Sequence, residues 1–360
     1  MAADAFSKTW IEAREKFLAA AGAAGLDVET RTNEETRGPN GEKLHADLAT
    51  LGDPGARNRI LLISATHGVE GFCGSGCQTA FLRSPHARRV PADTCLVFLH
   101  ALNPHGFAWL RRVNENNIDL NRNFIDFSAD LPLNEHYETL RPTMIVKDLE
   151  EDTVRTASRA MITFGKTHGF DTLQEGLTKG QYVDAEGLYY GGSAPSWSNR
   201  LLREVLGSRI KGAERAIQID FHTGLGPYGY GEIISEYDKD DPAFARAKTW
   251  LGEDVTSTRV GDSSSAALIG TTDHAFHQEL GDIEGVSIAL EFGTISSDDV
   301  FNATRADNWL HLNGNLASPQ GRQVKADIRA AFYPDEDPWK EKVRARGEEV
   351  ILRAMSALES

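Results

Sequence analysis

The chain has 360 residues, of which 40% are hydrophobic and 25% charged, so it can form a large globular core. The formal net charge of −15 argues against a nucleic-acid partner, because phosphate binding requires a clustered basic surface. The three cysteines cannot all form disulfides with one another, and we expect them to be reduced thiols, as in cytoplasmic proteins. We see no export signal and no apolar window of about 18 residues, and therefore expect a cytoplasmic protein with no membrane partner.

Hydrophobic periodicity predicts alternating helices and strands along the chain. The residues from Trp10 to Ala21 follow a helical period, and Leu44–Leu51 is predicted as a strand. Short apolar runs rich in β-branched residues then predict strands buried on both faces, at Ile60–Ala65, Cys95–Leu102, Ala216–Phe221 and Val286–Phe292. Further helices are predicted at Gly76–Arg83, Glu151–His168, Trp197–Leu206, Pro242–Leu251, Val300–Leu312 and Trp339 to about Leu358.

This alternation indicates an α/β fold, with one sheet between layers of helices. No repeat and no linker divides the sequence, so we expect a single domain over residues 1–360. Two stretches rich in Gly, Tyr and Pro, Thr178–Ser198 and Thr223–Gly231, are predicted to be long loops. Both border the motifs that follow.

A histidine and a glutamate, three residues apart, follow the first buried strand. His67 and Glu70 can both turn toward one cation, and Gly68 between them relieves crowding in the turn. Imidazole and carboxylate are zinc ligands, and a catalytic zinc ion takes three protein ligands and a water. Because a lone His-x-x-Glu pair is common by chance, the third ligand must come from another part of the chain.

His222 is the candidate for that third ligand. It follows the apolar run 216–221, and the carboxyl ends of strands in one α/β sheet share a crevice in which ligands bind. Asp220 lies two residues earlier, so it could orient an imidazole. Its alternative role is that of a capping or turn carboxylate.

Glu291 ends the apolar run that begins at Val286. A buried carboxylate is costly unless it is paired, hydrated or catalytic, and beside a metal-bound water it can act as the general base. Taken alone, Glu291 is equally consistent with a structural carboxylate. In company with His67, Glu70 and His222 it becomes the expected proton carrier.

Arginines and asparagines are concentrated in three short segments: Asn103–Gly106, Arg111–Asn114 and Asp119–Phe124. Arginine presents a fixed fork of donors that suits a carboxylate or a developing oxyanion. In so acidic a protein this concentration indicates a binding role. A solvated loop is the alternative.

These segments, in this order, resemble the zinc carboxypeptidase (carboxypeptidase A-like) superfamily, which includes the succinylglutamate desuccinylase and aspartoacylase branch. The resemblance covers about Ile60 to Thr294 and is most specific at Asn103–Gly106 and Asp119–Phe124. Gly191–Ser198 and Asp220–Pro227 resemble a bacterial branch of the superfamily that has no settled function.

The resemblance implies a mixed eight-stranded sheet flanked by helices and one zinc ion per chain. It implies that the zinc ligands are His67, Glu70 and His222, and that Glu291 activates the bound water. The metal itself is open, since cobalt or manganese could replace zinc.

The resemblance also assigns roles to the arginine-rich segments. Arg112 stands two residues before Asn114 and matches the arginine that polarises the scissile carbonyl, with Arg111 as the alternative. Asn121 and Arg122 match the pair that binds the terminal carboxylate of the substrate.

One departure from the superfamily concerns a mobile tyrosine that carboxypeptidases use ahead of the catalytic glutamate. The sequence has no tyrosine between Tyr237 and Glu291. The candidates to replace it are Tyr228, Tyr230, Tyr237, His274 and His277, although the two histidines are more simply interpreted as helix-surface residues. This gap argues against a strict peptidase.

The resulting hypothesis is metal-assisted hydrolysis of an amide next to a carboxylate. The substrate is either a peptide C-terminus or a small N-acyl amino acid, and the missing tyrosine favours the small amide. The alternative is a non-catalytic metal- or ligand-binding module of the same fold, which would lack a ligand or the base. The sequence predicts no oligomeric state.

Overall fold

The computed structural model describes residues 2–281 and 283–359, so Met1 and Ser360, the ends of the predicted domain, lie outside the described residues. Eight strands form one sheet. They are β1 (Val28–Asn33), β2 (Leu44–Gly52), β3 (Asn58–Ile63), β4 (Thr94–His100), β5 (Arg215–Tyr228), β6 (Gly231–Ser235), β7 (Val255–Ser257) and β8 (Glu284–Gly293). Their order in the sheet is β1-β2-β4-β3-β5-β8-β6-β7.

Four parallel strands, β4, β3, β5 and β8, occupy the middle of this sheet. β2 and β6 pair antiparallel at either side of them, which makes the sheet mixed. Because the middle strands run in one direction, their carboxyl ends meet at one edge, and the crevice there is where ligands bind in open α/β sheets. The predicted α/β fold with a mixed eight-stranded sheet is confirmed.

Helices surround the sheet. They are α1 (Trp10–Ala23), α2 (Gly71–Arg83), α3 (Pro104–Trp109), α4 (Tyr137–Met144), α5 (Glu151–His168), α6 (Phe170–Thr178), α7 (Trp197–Val205), α8 (Pro242–Leu251), α9 (Thr272–Leu280), α10 (Ser297–Asn313), α11 (Pro319–Phe332) and α12 (Asp337–Glu359). Short 3-10 turns include Gly68–Glu70 and Leu120–Arg122. No helix among the described residues is both long and apolar enough to cross a bilayer.

Alternate residues of the inner strands enter two different hydrophobic cores. In β3, Ile60 and Leu62 belong to the core that contains residues of α1, α2, α8 and α12. Leu61 and Ile63 belong to the core that contains residues of α7 and α9. This burial on both faces explains why the strand is a continuous apolar run in the sequence.

One predicted loop is wrong in part. Thr223–Gly231 is rich in glycine, yet β5 continues to Tyr228 and β6 begins at Gly231. The pairing of β5 with β8 shifts register between Thr223 and Tyr228, and Gly224 and Gly226 there have φ of 138° and 93°. The glycines therefore accommodate an irregularity within the strand rather than ending it.

Candidate metal centre

The turn that carries His67 and Glu70 is fixed by close backbone packing. It follows β3 and leads into α2, and its amides at Gly68 and Val69 donate to the carbonyls of Arg112 and Arg111 at 3.2 and 2.9 Å. Gly68 lies against the backbone of Gly106, where an added Cβ would be 2.0 Å from the carbonyl carbon. Only glycine permits this close approach. Gly68 is therefore required at this position because any side chain would overlap the neighbouring backbone.

The sheet register brings the remaining candidates to the same place. His222 on β5 and Glu291 on β8 are direct Cα partners in parallel strands, so their side chains leave the same face of the sheet. The Nδ1 atom of His222 lies 3.0 Å from Oε2 of Glu70. Residues from three distant parts of the chain therefore converge.

His67, Glu70 and His222 form a compact, buried donor set. One ligand atom of each lies within 4.8 Å of the others, and each residue is at most 4% exposed. Nδ1 of His67 lies 3.0 Å from Oε1 of Glu70, yet it has no hydrogen-bond partner. A buried imidazole nitrogen that lies beside a carboxylate and has no hydrogen-bond partner is typical of a metal ligand when the ion is absent.

The far nitrogen of each imidazole lies against an aspartate. Nε2 of His67 is 3.0 Å from Asp119, and Nε2 of His222 is 3.0 Å from Asp220. An aspartate at Nε2 favours the tautomer that carries its proton there, which leaves Nδ1 free to bind a cation. Asp220 is thus in the orienting position that its spacing from His222 indicated.

The centre contains more negative than positive side chains. Thr66 and Thr272 donate hydroxyl hydrogens to Asp220, at 2.8 and 2.9 Å, but bring no positive charge. The centre holds four buried carboxylates and two arginines, namely Glu70, Asp119, Asp220, Glu291, Arg112 and Arg122. The carboxylates outnumber the arginines, and a divalent cation would add positive charge among them.

The ionisation of the two carboxylates nearest the centre differs sharply. Burial alone would raise the pKa of Glu70, but the adjacent His67 and His222 hold it below its usual range. Burial raises the pKa of Glu291 to about 8, and the charge of Glu70 adds to this effect. Glu70 is therefore suited to bind a cation and Glu291 to exchange a proton.

Glu291 is held in place by the strand beside it. The backbone amide of Leu225, three residues after His222 on β5, donates to Oε1 of Glu291 at 2.9 Å. Glu291 lines the same cavity as His67, Glu70 and His222. The structure thus brings the predicted base and all three predicted ligands together.

The two adjacent arginines have different environments. Arg112 lines the cavity and contacts Glu70 and Asp119 at 3.1 and 2.9 Å. Arg111 instead binds Asp307 at 3.3 Å and Asn117 at 3.0 Å. The geometry therefore favours Arg112, of the two candidates, as the arginine that faces a substrate.

Asn121 and Arg122 also line the cavity, but Arg122 is largely engaged. Its Nε and Nη2 donate to the carbonyl of Thr178, and its Nη1 donates to the carbonyl of Asn121 at 2.8 Å. A guanidinium group has five N–H donors, so some remain for a ligand. Asn121 accepts from the amide of Thr272 at 3.1 Å, which fixes its side-chain oxygen.

The candidates for the missing tyrosine do not line the cavity. Tyr228 donates to Glu336 at 2.6 Å, and Tyr230 is 47% exposed. The hydroxyl of the buried Tyr237 lies 3.1 Å from Nε2 of His277, and Nδ1 of His274 lies 2.9 Å from the hydroxyl of Thr271. Four of these side chains thus have contacts elsewhere in the fold, and the fifth, Tyr230, is exposed.

Tyr189 is a cavity residue that sequence reasoning missed. Its ring centroid lies 5.7 Å from the Cζ atoms of both Arg112 and Arg122. It adopts a φ of 56°, a left-handed conformation that is uncommon for a bulky residue and that clusters at functional sites. The only sequence signal was its place in the Tyr- and Gly-rich stretch Thr178–Ser198.

The cavity has a volume of about 820 Å³, which is ample for a small-molecule ligand. Glu236 and Asp273 line another part of it, and neither was singled out in the sequence. Burial raises the pKa of Glu236 to about 7. The cavity thus extends well beyond the candidate metal ligands and the candidate base.

The model of the family DUF2817, described as a protein of unknown function, matches residues 6–346, so the chain belongs to this family. No curated protein matches it. It is similar to solved structures of a carboxypeptidase A from Helicoverpa armigera (11% identity, TM-score 0.45, 90% of this chain and 74% of that chain). A second is thrombin activatable fibrinolysis inhibitor (12% identity, TM-score 0.45, 94% of this chain and 74% of that chain). A third is a metallo-carboxypeptidase from Burkholderia cenocepacia (13% identity, TM-score 0.40, 92% of this chain and 69% of that chain).

Two of these three structures are named as carboxypeptidases. Their low identities and TM-scores carry no functional assignment. The roles of individual residues therefore rest on the geometry of this chain.

Replacing Gly68 with alanine is expected to displace the turn that carries His67 and Glu70, because the new Cβ would overlap the backbone of Gly106. We expect thermal unfolding to show a loss of about 1–3 kcal/mol in the free energy of unfolding. Gly22→Ala is the matched control. Gly22 lies in α1 with open space around it, and its replacement should leave stability equal or slightly higher. Equal stability of the two variants would refute the steric role.

Replacing His222 with alanine is expected to abolish tight zinc binding, because only two of the three candidate ligands remain. Elemental analysis after dialysis should find about one zinc per wild-type chain and almost none in the variant. His168→Ala removes an exposed histidine at the end of α5 and should retain the metal. Stoichiometric zinc in the His222 variant would exclude this centre.

Proposed function

We propose that the protein is a zinc-dependent hydrolase that cleaves an amide bond next to a carboxylate. The observation that carries the proposal is the convergence of His67, Glu70 and His222, with Glu291 on the adjoining strand in the same cavity. This arrangement supplies three metal ligands and a carboxylate with a raised pKa. Metal-assisted hydrolysis needs these components.

His67, Glu70 and His222 would hold the zinc ion. When bound, zinc lowers the pKa of a water and polarises the scissile carbonyl. Asp119 and Asp220 keep the two imidazoles oriented toward the centre through their Nε2 atoms. The ligands are thereby arranged before any ion or substrate arrives.

Glu291 acts as the proton carrier in this proposal. It takes a proton from the attacking water and passes it to the nitrogen of the leaving amine. Its pKa, raised toward the neutral range, lets the carboxyl group both take up and release a proton there, and the amide of Leu225 donates to its carboxylate. Arg112 donates to the carbonyl oxygen as negative charge develops there.

Asn121 and Arg122 are the proposed partners of the substrate carboxylate. Asn121 and Arg122 line the cavity in which Glu291 and Arg112 also lie, and their amide and guanidinium groups are donors that suit a carboxylate. The ring of Tyr189 lies within 5.7 Å of both guanidinium groups and can contribute a cation-π contact to each. A carboxylate held there lies beside the scissile bond.

The proposed substrate is a small amide such as an N-acyl amino acid. None of the tyrosines considered ahead of Glu291 lines the cavity, which supports a small amide over a peptide C-terminus. Screening N-acyl amino acids against short peptides with the zinc-loaded protein distinguishes deacylase from carboxypeptidase action. If the protein hydrolyses neither class of substrate, the result supports the non-catalytic alternative.

We also propose a cytoplasmic location. Cys73, Cys77 and Cys95 are buried free thiols in the structure, which is compatible with a reducing compartment.

Replacing Glu291 with glutamine is expected to preserve zinc binding and to reduce turnover by at least about a hundredfold, because the amide cannot accept the proton. Metal content and initial rates on the best substrate of the screen measure the two effects separately. Glu284→Gln is the matched control. It lies exposed at the start of the same strand and should leave both quantities unchanged.

Unimpaired hydrolysis by the Glu291 variant would show that another group is the base. Loss of zinc from this variant would show instead that Glu291 contributes to the metal site.

A further inference from the structure

We infer that the amide substrate carries a large apolar group, which binds an apolar wall of the cavity formed by α5, α6 and α10. This inference rests on the proposed hydrolase function and specifies its substrate class. The wall consists of Met161, Ile162, Phe170, Leu173, Leu177 and Phe301. It belongs to the same cavity as the candidate metal ligands, so a bound amide can reach both.

Two large side chains of the wall are unusually open to solvent. Ile162 is 48% exposed and Phe170 is 60% exposed, although both line the cavity. Apolar surface left in water is unfavourable, and a ligand that covers it gains the free energy of its burial. An apolar group of the substrate would cover both side chains.

The wall is supported from behind and does not have to form when a ligand binds. Phe164 of α5 and Leu173 of α6 pack in a small buried core with Leu140 and Met144 of α4. Phe301 of α10 packs against the same core. Because this core holds α5 and α6 together, the wall presents a fixed apolar surface to a ligand.

The composition of the wall favours an apolar occupant. The other residues of α5 and α6 that line the cavity, Ser158, Gln174 and Thr178, are uncharged. Of the other carboxylates that line the cavity, Glu236 and Asp273 come from outside the wall helices, whereas Asp298 lies in the first turn of α10, three residues before Phe301. An aromatic or long aliphatic group on the amide therefore matches the wall better than a charged or small group.

The test varies the apolar group while the reacting amide is kept the same. The first series contains N-acetyl-, N-butanoyl- and N-octanoylglycine, and the second contains N-acetyl derivatives of glycine, leucine and phenylalanine. For the zinc-loaded wild type, we expect kcat/KM to rise by on the order of tenfold or more along at least one series. The series that shows the rise identifies which side of the amide contacts the wall.

Phe170→Ser should reduce the ratio of kcat/KM between the largest and the smallest member of that series by about tenfold, because it removes the largest exposed contact. Leu133→Ser and Val183→Ser are matched controls. Leu133 and Val183 are 68% and 71% exposed, apolar, and outside the cavity, so their replacement should leave the ratio unchanged.

Binding gives a readout that does not depend on turnover. In the Glu291→Gln background, calorimetry should give a Kd for the largest amide about tenfold weaker after Phe170→Ser. Equal kcat/KM along both series, or an unchanged ratio and Kd in the Phe170 variant, would overturn the inference and leave the hydrolase proposal intact. Tight binding of the large amides without hydrolysis by the zinc-loaded wild type would overturn the hydrolase proposal alone.

Discussion

The structure depends on one buried carboxylate that lies between two imidazoles. Glu70 is 1% exposed, and each of its oxygens is 3.0 Å from the Nδ1 atom of His67 or His222. The carboxylate and the two ring nitrogens cannot satisfy one another fully, since Nδ1 of His67 lacks a hydrogen-bond partner. A cation at their centre resolves this, and the inner parallel strands supply the rigid frame that keeps the three groups in place.

The segment between Asn103 and Phe124 is part of the centre and not a solvated loop. Asp119 is fully buried and contacts both His67 and Arg112. The same segment approaches the His67 turn through Gly106. Candidate ligand, aspartate and arginine thus form one network, in which displacement of any member alters the others.

Much of this arrangement was predictable from sequence, because each candidate ligand and the candidate base follows or ends an apolar run of the sequence. Apolar runs locate β3, β5 and β8, and the parallel register of these strands brings His222 and Glu291 together. Other features were not predictable. The polar edge strand β1 lacks apolar alternation, and the engagement of Arg122 by the carbonyl of Thr178 depends on tertiary packing. Tyr189 reaches the arginines only through the path of a long loop.

The irregular end of β5 has a consequence for the spacing between a candidate metal ligand and the candidate base. His222 and the amide that holds Glu291 are separated by only three residues of one strand. The separation of ligand and proton acceptor is therefore set locally by backbone geometry. The helices that form the apolar wall, α5, α6 and α10, lie outside this stretch of strand, so this separation does not depend directly on them.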